Sequence, residues 1–286
     1  MTSEVRMVPS LREPSLGNVL RKYAKVWRVA LSDRFVYRLD FLVSTLLRFL
    51  PMLTTILLWE QIFAGSESSE LAGYTRNQMI SYLLLVHISR MFSSMPKLAG
   101  GIARDIREGT LKKYLLQPID MITYLFTYRI AHKMAYIMMS GLPYALLFYL
   151  CRDYLPGWPP PHVLAFYVAS LLLGFVVGFF FEASIGMIGF WFLEVTSFLY
   201  VIGTITFFLS GHMFPLDLLD PTWVTVFKYL PFQYLAYYPA TIFLEKVSYE
   251  DMWTGLLIEA AWAVGLFILC RILYRIGQRR YSAYGG

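Results

Sequence analysis

Seven ionisable side chains interrupt the apolar stretches of this sequence: Arg48, Arg90, Arg129, Lys133, Glu182, Glu194 and Glu259. A charge set among lipid-facing residues costs at least about 2.5–3.5 kcal/mol on insertion scales, so each needs a partner or a polar path. Glu182 and Glu194 are placed to pair with Arg48, Arg90 or Arg129. Such a set either ties helices together or lines a route between them, and spacing alone leaves both readings open. His87 and His132 also fall in apolar stretches, where an axial haem pair is one reading and polar packing the other. No Gly-Lys-Ser/Thr phosphate loop, His-Glu-x-x-His, Cys-x-x-Cys or Gly-x-Ser-x-Gly occurs anywhere. Nothing therefore points to nucleotide hydrolysis, zinc hydrolysis, dithiol chemistry or a serine nucleophile, and no catalytic residue, metal or cofactor is expected in this chain.

The elements that position these residues follow from composition. With 57% hydrophobic and only 15% charged residues over 286, the chain is too apolar for a soluble domain and reads as an all-α polytopic membrane protein. Its net charge of +6 sits beside apolar spans, where retention of basic loops at the cytoplasmic face explains it, and nucleic acid is not expected as a partner. Residues 1–15 read as a flexible cytoplasmic tail. Residues 16–38 read as an amphipathic interfacial helix: Leu16, Val19, Leu20, Tyr23, Trp27, Ala30 and Leu31 recur on one face and Arg21, Lys22, Lys25 and Arg28 on another. Lipid headgroups or protein are equally suited to cover its apolar side.

Six spans are expected, over about 39–62, 77–98, 121–150, 162–182, 187–209 and 252–274, with a cytoplasmic tail over 275–286. The first contains Arg48 and Pro51 and follows a long charged segment, so it is an anchor rather than a cleavable signal. The 48 residues from Val163 to Ser210 would reach about 72 Å as one helix, so a reversal is expected near Glu182 to Gly186. Of the 25 Lys and Arg residues, eight lie in 1–38, four in 99–120 and four in 271–286, against Arg76, Arg152, Lys228 and Lys246 in the other loops. That asymmetry puts both termini and the 99–120 loop in the cytoplasm. Cys151 and Cys270 then sit at opposite ends of their spans, too far apart to pair. Gly174 and Gly178 form a small-xxx-small packing face, continued at Gly186, for another span or a second protomer.

Two loops stand out. Ala99 to Asp120 is polar yet flanked by apolar runs, and it reads as a helical excursion that docks a soluble partner. Gly211 to Asp251 is rich in Trp, Tyr and Phe and broken by Pro215, Pro221, Pro231 and Pro239, so short re-entrant helices are expected, either as an external gate or as an interfacial belt.

Four motifs in order carry a family resemblance: Ile106-Arg107-Glu108-Gly109-Thr110-Leu111 with Leu115-Leu116-Gln117-Pro118-Ile119-Asp120; Ser210-Gly211 with Pro215 and Leu216; Leu230-Pro231-Phe232 with Tyr238-Pro239; and Arg279-Arg280-Tyr281-Ser282-Ala283-Tyr284-Gly285-Gly286. From Leu16 to Gly286 the chain resembles the membrane subunit of ABC-2-type transporters, in the bacterial branch that includes daunorubicin-exporter-like proteins. The resemblance implies an exporter permease in the bacterial cytoplasmic membrane. It implies a coupling helix between spans two and three, with Arg104, Asp105, Arg107, Glu108, Gly109, Thr110 and Leu111 at the coupling site. It also implies re-entrant helices before span six, with Pro215, Pro231, Phe232 and Pro239 at the external gate. Two separate ATPase subunits would bring ATP and Mg, and a second permease copy or homologue would complete the complex. Gln117 stands where many relatives have Arg before Pro118, so a salt bridge there is not carried over. A secondary transporter or a redox or anchor subunit is the alternative.

Overall fold

The computed structural model describes residues 16–36 and 38–281; the tail expected over 1–15 and the terminal Ser282 to Gly286 lie outside the described residues. Helices α1 (Leu16–Val36) and α2 (Arg38–Ala64) lead into a small hairpin, β1 (Glu70–Leu71) and β2 (Tyr74–Thr75), paired antiparallel. Ala72 and Gly73 take positive φ of 50° and 76°, the handedness a two-residue hairpin turn requires. α3 (Arg76–Ser93) starts on a reciprocal cap in which Thr75 Oγ1 accepts from the Gln78 N–H and the Gln78 carboxamide accepts from the Thr75 N–H. It stops because Pro96 follows and Lys97 adopts φ 64°, through which no helix continues.

α4 (Leu98–Arg107) and the single turn α5 (Lys112–Leu115) occupy the polar stretch. α6 (Met121–Leu150) is begun by Asp120, whose carboxylate accepts from the Thr123 N–H at 2.8 Å. α7 (Pro161–Gly186) has proline at its first position and continues into a 3-10 turn, Met187–Phe190. α8 (Thr196–Leu209), α9 (Pro221–Phe227), α10 (Tyr237–Phe243) and α11 (Tyr249–Arg280) complete the chain.

Two expectations are corrected. The long apolar run does not reverse near Glu182 to Gly186, where Gly186 keeps helical dihedrals of −60° and −30°. It reverses at 191–195, where the Glu194 carboxylate accepts from the Thr196 N–H at 2.8 Å and starts the next helix, so the fifth apolar segment is 14 residues long rather than 187–209. The second segment ends at Ser93 instead of 98, for the reason given above. The last helix runs on to Arg280.

α7 packs against α3, α4, α10 and α11. A Cβ on Gly174 would lie 2.9 Å from Tyr234 O, one on Gly178 would collide with Ser93 O, and one on Gly186 would lie 2.8 Å from Ala99 O. Three backbone segments thus approach one face of α7 at distances only glycine permits. The neighbours of the glycine face belong to the same chain. α2 and α6 form a further layer beyond α3, joined by a buried hydroxyl pair, Thr45 Oγ1 to Ser140 Oγ at 2.7 Å. α1 packs along α6 with Ala30 buried, while Leu20 and Val29 remain exposed. No residue of α8 is buried.

Among the described helices, Val43–Ala64, Pro161–Phe190 and Tyr249–Arg280 are long and apolar enough to cross a membrane, and Thr196–Leu209 is a shorter apolar helix. The chain is an all-α polytopic membrane protein. Gly178→Ala is expected to lower the thermal midpoint of the detergent-solubilised protein, with a loss of about 1–3 kcal/mol from overpacking against Ser93. Gly203→Ala on α8, where a Cβ meets nothing within 4 Å, should be neutral or gain up to about 1 kcal/mol in the same measurement.

Candidate functional site

The polar 99–120 stretch folds as a platform against one end of α7. Leu98, Ala99, Ile102, Ala103 and Ile106 are the buried face of α4 and meet the end of α7 and the 187–190 turn. Gly189 admits them there, since its Cβ would lie 3.0 Å from Ala103 Cα. The opposite face is charged and exposed, with Arg104, Arg107 and Glu108 on α4 and its cap and Lys112 and Lys113 on α5. Asp105 holds the two helices in one unit. Its carboxylate accepts from Thr110 Oγ1 at 2.7 Å and pairs with Lys113 Nζ at 2.9 Å, and its carbonyl accepts from the Leu111 N–H at 3.0 Å.

Gly109 makes the reversal at φ 72°, and Leu111 is fully buried beneath it. Of the residues expected at the coupling site, Asp105, Gly109, Thr110 and Leu111 therefore build the loop, whereas Arg104, Arg107 and Glu108 form its outer surface. Sequence reasoning left out the tip, where Leu115 and Leu116 are 44% and 83% exposed. The signal available in the sequence was the apolar pair Leu115-Leu116 at the end of a charged loop.

Both ends of the platform are anchored. On entry, Lys133 Nζ of α6 donates to Met91 O at 2.5 Å and Ser94 O at 2.6 Å, and Arg129 Nη2 donates to Pro96 O at 3.0 Å. These carbonyls lie at and just beyond the end of α3, where helix carbonyls lack partners and the dipole favours cations. On exit, Arg271 Nη1 of α11 pairs with Asp120 Oδ1 at 2.6 Å, Lys22 Nζ of α1 donates to Pro118 O at 2.6 Å, and the Asp120 N–H donates to the Tyr23 hydroxyl at 3.3 Å. Burial alone would raise the Asp120 pKa, but the bonds from Arg271 and Thr123 outweigh it and hold the carboxyl below the usual aspartate range. The pair is therefore intact at neutral pH and is lost only as pH falls through that lowered value.

The other charges singled out by sequence separate. Glu182 on α7 accepts from the Ala99 N–H and lies in the field of Arg129. Glu194 is not inside a span: it pairs with Arg107 at 2.8 Å on the platform surface, because the reversal falls at 191–195. The side chain of Arg48 lies outside the described residues. Glu259 is fully buried between α11 and α7, where Ser170 Oγ donates to it at 2.9 Å.

Arg90 sits with its guanidinium 5.0 Å from the centroid of the Phe207 ring, and two cavities adjoin it. The larger, about 390 Å³, lies between α2, α3, α6 and the end of α8 and is lined by Met52, Leu83, His87, Tyr136 and Tyr144 among others. The smaller, about 260 Å³, is lined by Lys97, Glu182, Gly203 and Thr206, and both cavities share Arg90, Phe207 and His212. Among the described residues no three His, Cys, Asp or Glu side chains gather as a metal site.

At the other end of the bundle, the aromatic 211–248 segment divides in two. Its first part exposes Trp223 and Tyr229 at 58% and 65%. Its second part is inserted into the bundle, with Pro231, Tyr234, Tyr238 and Pro239 buried, Phe232 half-buried against Phe181, and the Leu235 carbonyl accepting from Ser93 Oγ at 2.6 Å. Pro215, also buried, precedes a short turn carrying Asp217, which accepts from the Tyr74 hydroxyl at 2.7 Å and the Tyr237 hydroxyl at 2.6 Å. Tyr82 donates to the Gly211 carbonyl. The buried prolines thus lie in an inserted segment, which α3, α7 and α11 contact.

No curated protein matches the chain. The sequence profile of the ABC-2 family transporter proteins matches residues 49–285, which takes in every element from α3 to α11. The chain belongs to the ABC-2 family of transporter proteins and is a multi-pass membrane permease component of an ABC transporter.

Proposed function

We propose that this permease works as an exporter subunit, with its platform seated on a separate ATPase that holds ATP and Mg. The observation that carries the reading is the platform itself: a rigid two-helix unit, buried on one side, charged on the other, and tipped by the exposed Leu116. In this reading α2, α3, α6, α7, α8 and α11 are the six spans. The Lys and Arg asymmetry supports a cytoplasmic position for both termini and the platform, and the family resemblance supports a bacterial inner membrane. Two ATPase subunits serve two permeases, and the unburied α8 is the surface a second copy or homologue covers. The inserted segment with Pro215, Pro231, Phe232 and Pro239 closes the external mouth. The cargo is an amphiphile, since the cavities beside Arg90 combine apolar walls with a few polar groups.

Mechanistically, ATP binds more tightly to a closed ATPase pair than to an open one, and that preference is the free energy available for moving the platform. Displacement of the platform reaches α3 and α6 through Lys133 and Arg129, and α11 through the pair of Asp120 with Arg271.

Leu116→Asp, alone or with charge reversal at Arg107 and Glu108, is expected to reduce recovery of the ATPase with the tagged permease on the order of tenfold, as loss of one apolar anchor does elsewhere. The permease should elute and melt unchanged; a variant that retains its ATPase and transports normally would remove the platform from the docking surface. Arg271→Gln should keep the ATPase bound while transport per ATP hydrolysed falls severalfold, and should cost about 1.5–3 kcal/mol of stability. Normal transport by this variant, measured in proteoliposomes, would exclude the Asp120 link as a transmission path.

A further inference from the structure

Pro161–Phe190 and Tyr249–Arg280 are both long and apolar enough to cross a membrane, and their last residues, Phe190 and Arg280, line one cavity. It measures about 190 Å³ and lies between the end of α4, the chain reversal that begins at Trp191, and the last turn of α11. Two membrane-crossing helices end there, so the cavity sits at the level where hydrocarbon gives way to headgroups. Glycine brings the two ends together: a Cβ on Gly277 would collide with the Phe190 ring. Phe190 in turn meets Trp191 and Tyr281 edge to face, at 6.1 and 6.2 Å between ring centroids. The wall is therefore aromatic, as residues at a membrane interface commonly are.

The lining holds two arginines, Arg107 and Arg280, and no acid. Arg107 gives Nη1 to Glu194 at 2.8 Å, and that pair is neutral as a unit. Its other guanidinium N–H groups have no partner among the described residues. Arg280 is exposed and makes no ion pair or hydrogen bond among the described residues, so one cation at the cavity is uncompensated there. The planar fork of a guanidinium fits phosphate oxygens. On the same rim Phe192 and Leu193 are exposed, which sets two apolar side chains beside the arginines.

We infer that this cavity holds the phosphate of an anionic lipid headgroup, with Arg280 and Arg107 donating to its oxygens and Phe192 and Leu193 lying against the start of its acyl chains. A soluble anion would satisfy the arginines and leave Phe192 and Leu193 in water, whereas a lipid answers both, and basic pockets between helix ends on the cytoplasmic side suit such headgroups. The site stands on the chain being a multi-pass membrane protein and goes beyond the docking of an ATPase. Because Arg107 belongs to the platform, a lipid bound here ties the platform to the membrane surface as well as to the helices.

The test titrates the full-length permease in neutral detergent with dioleoyl-phosphatidylglycerol, dioleoyl-phosphatidylcholine or inorganic phosphate, and reads the first molecule bound by native mass spectrometry. Phosphatidylglycerol is expected to bind about tenfold more tightly than phosphatidylcholine. Arg280→Gln should reduce that ratio to about threefold or less with elution and melting unchanged, and Arg280→Lys should keep most of it. Leu193→Ser should weaken both lipids alike. Lys25→Gln on the basic face of α1 should leave the ratio intact; a loss as large as that of Arg280→Gln would mean surface attraction alone and overturn the site. Equal binding of the two lipids by the wild type, or an Arg280→Gln protein that keeps the preference, also overturns it. Inorganic phosphate displacing phosphatidylglycerol at equal concentration assigns the cavity to a free ion and overturns the lipid. An Arg280→Gln protein that loses its ATPase while binding both lipids as the wild type does gives Arg280 to the protein partner instead.

Discussion

Backbone approaches the glycine face of α7 at three heights, and the rest of the molecule depends on that contact. Tyr234 O, Ser93 O and Ala99 O lie where the Cβ atoms of Gly174, Gly178 and Gly186 would be. In lipid, helices gain little from burying apolar surface against one another, so close packing and polar contacts supply the specificity. Here the same face receives the inserted segment, the end of α3 and the start of α4. The platform at one end and the inserted segment at the other therefore pack on the same helix.

That geometry also explains how the cations of α6 are used. Because α3 must stop at Ser93 to let the chain pass α7 and turn into α4, its last carbonyls are left without helical partners. Lys133 and Arg129 supply donors to Met91, Ser94 and Pro96. Sequence reasoning sought an acid as the partner of Arg129, since opposite charge is the obvious remedy for a cation in an apolar stretch. A broken helix end offers another remedy, and it cannot be seen in sequence until the break itself is located. The break was partly visible in Pro96, but the left-handed Lys97 that completes it was not.

Legibility elsewhere follows the same division between local and tertiary causes. The polar 99–120 stretch, the amphipathic face of α1, and the proline-cut segment after Gly211 were readable because each is a local pattern of residue types. The reversal at 191–195 was misplaced because it depends on Glu194, whose carboxylate caps Thr196 and pairs with Arg107. Read as a buried acid within a span, Glu194 looked like a partner for intramembrane arginines; read as a cap, it ends the span. The burial of Tyr234 and Tyr238 was equally hidden, because aromatic rings beside prolines suit an interface belt as well as a core. What decides between them is Gly255, where the Tyr238 ring occupies the space of a Cβ, and the hydroxyl bond to Met252 O at 2.8 Å.

The two anchors of the platform differ in kind, and the difference has a mechanical consequence. The entry anchor joins cations to backbone carbonyls that end a helix, so it fixes the height of α3 against α6 while tolerating rotation of the side chains that make it. The exit anchor is a short charged pair backed by a helix cap: Asp120 holds Arg271 with one oxygen and Thr123 with the other. Its geometry is narrow, and it couples the start of α6 directly to α11, which is the principal neighbour of α7. The platform is therefore tied to α3 through backbone carbonyls and to α11 through a charged pair. Since α11 also carries Glu259, bonded to Ser170 of α7, and Gly255 beneath Tyr238, the contacts through α11 run from the platform to the inserted segment without passing through the cavities beside Arg90. The contacts through α3 carry Arg90 and His87 themselves. The platform thus meets the inserted segment and the cavity wall through separate helices.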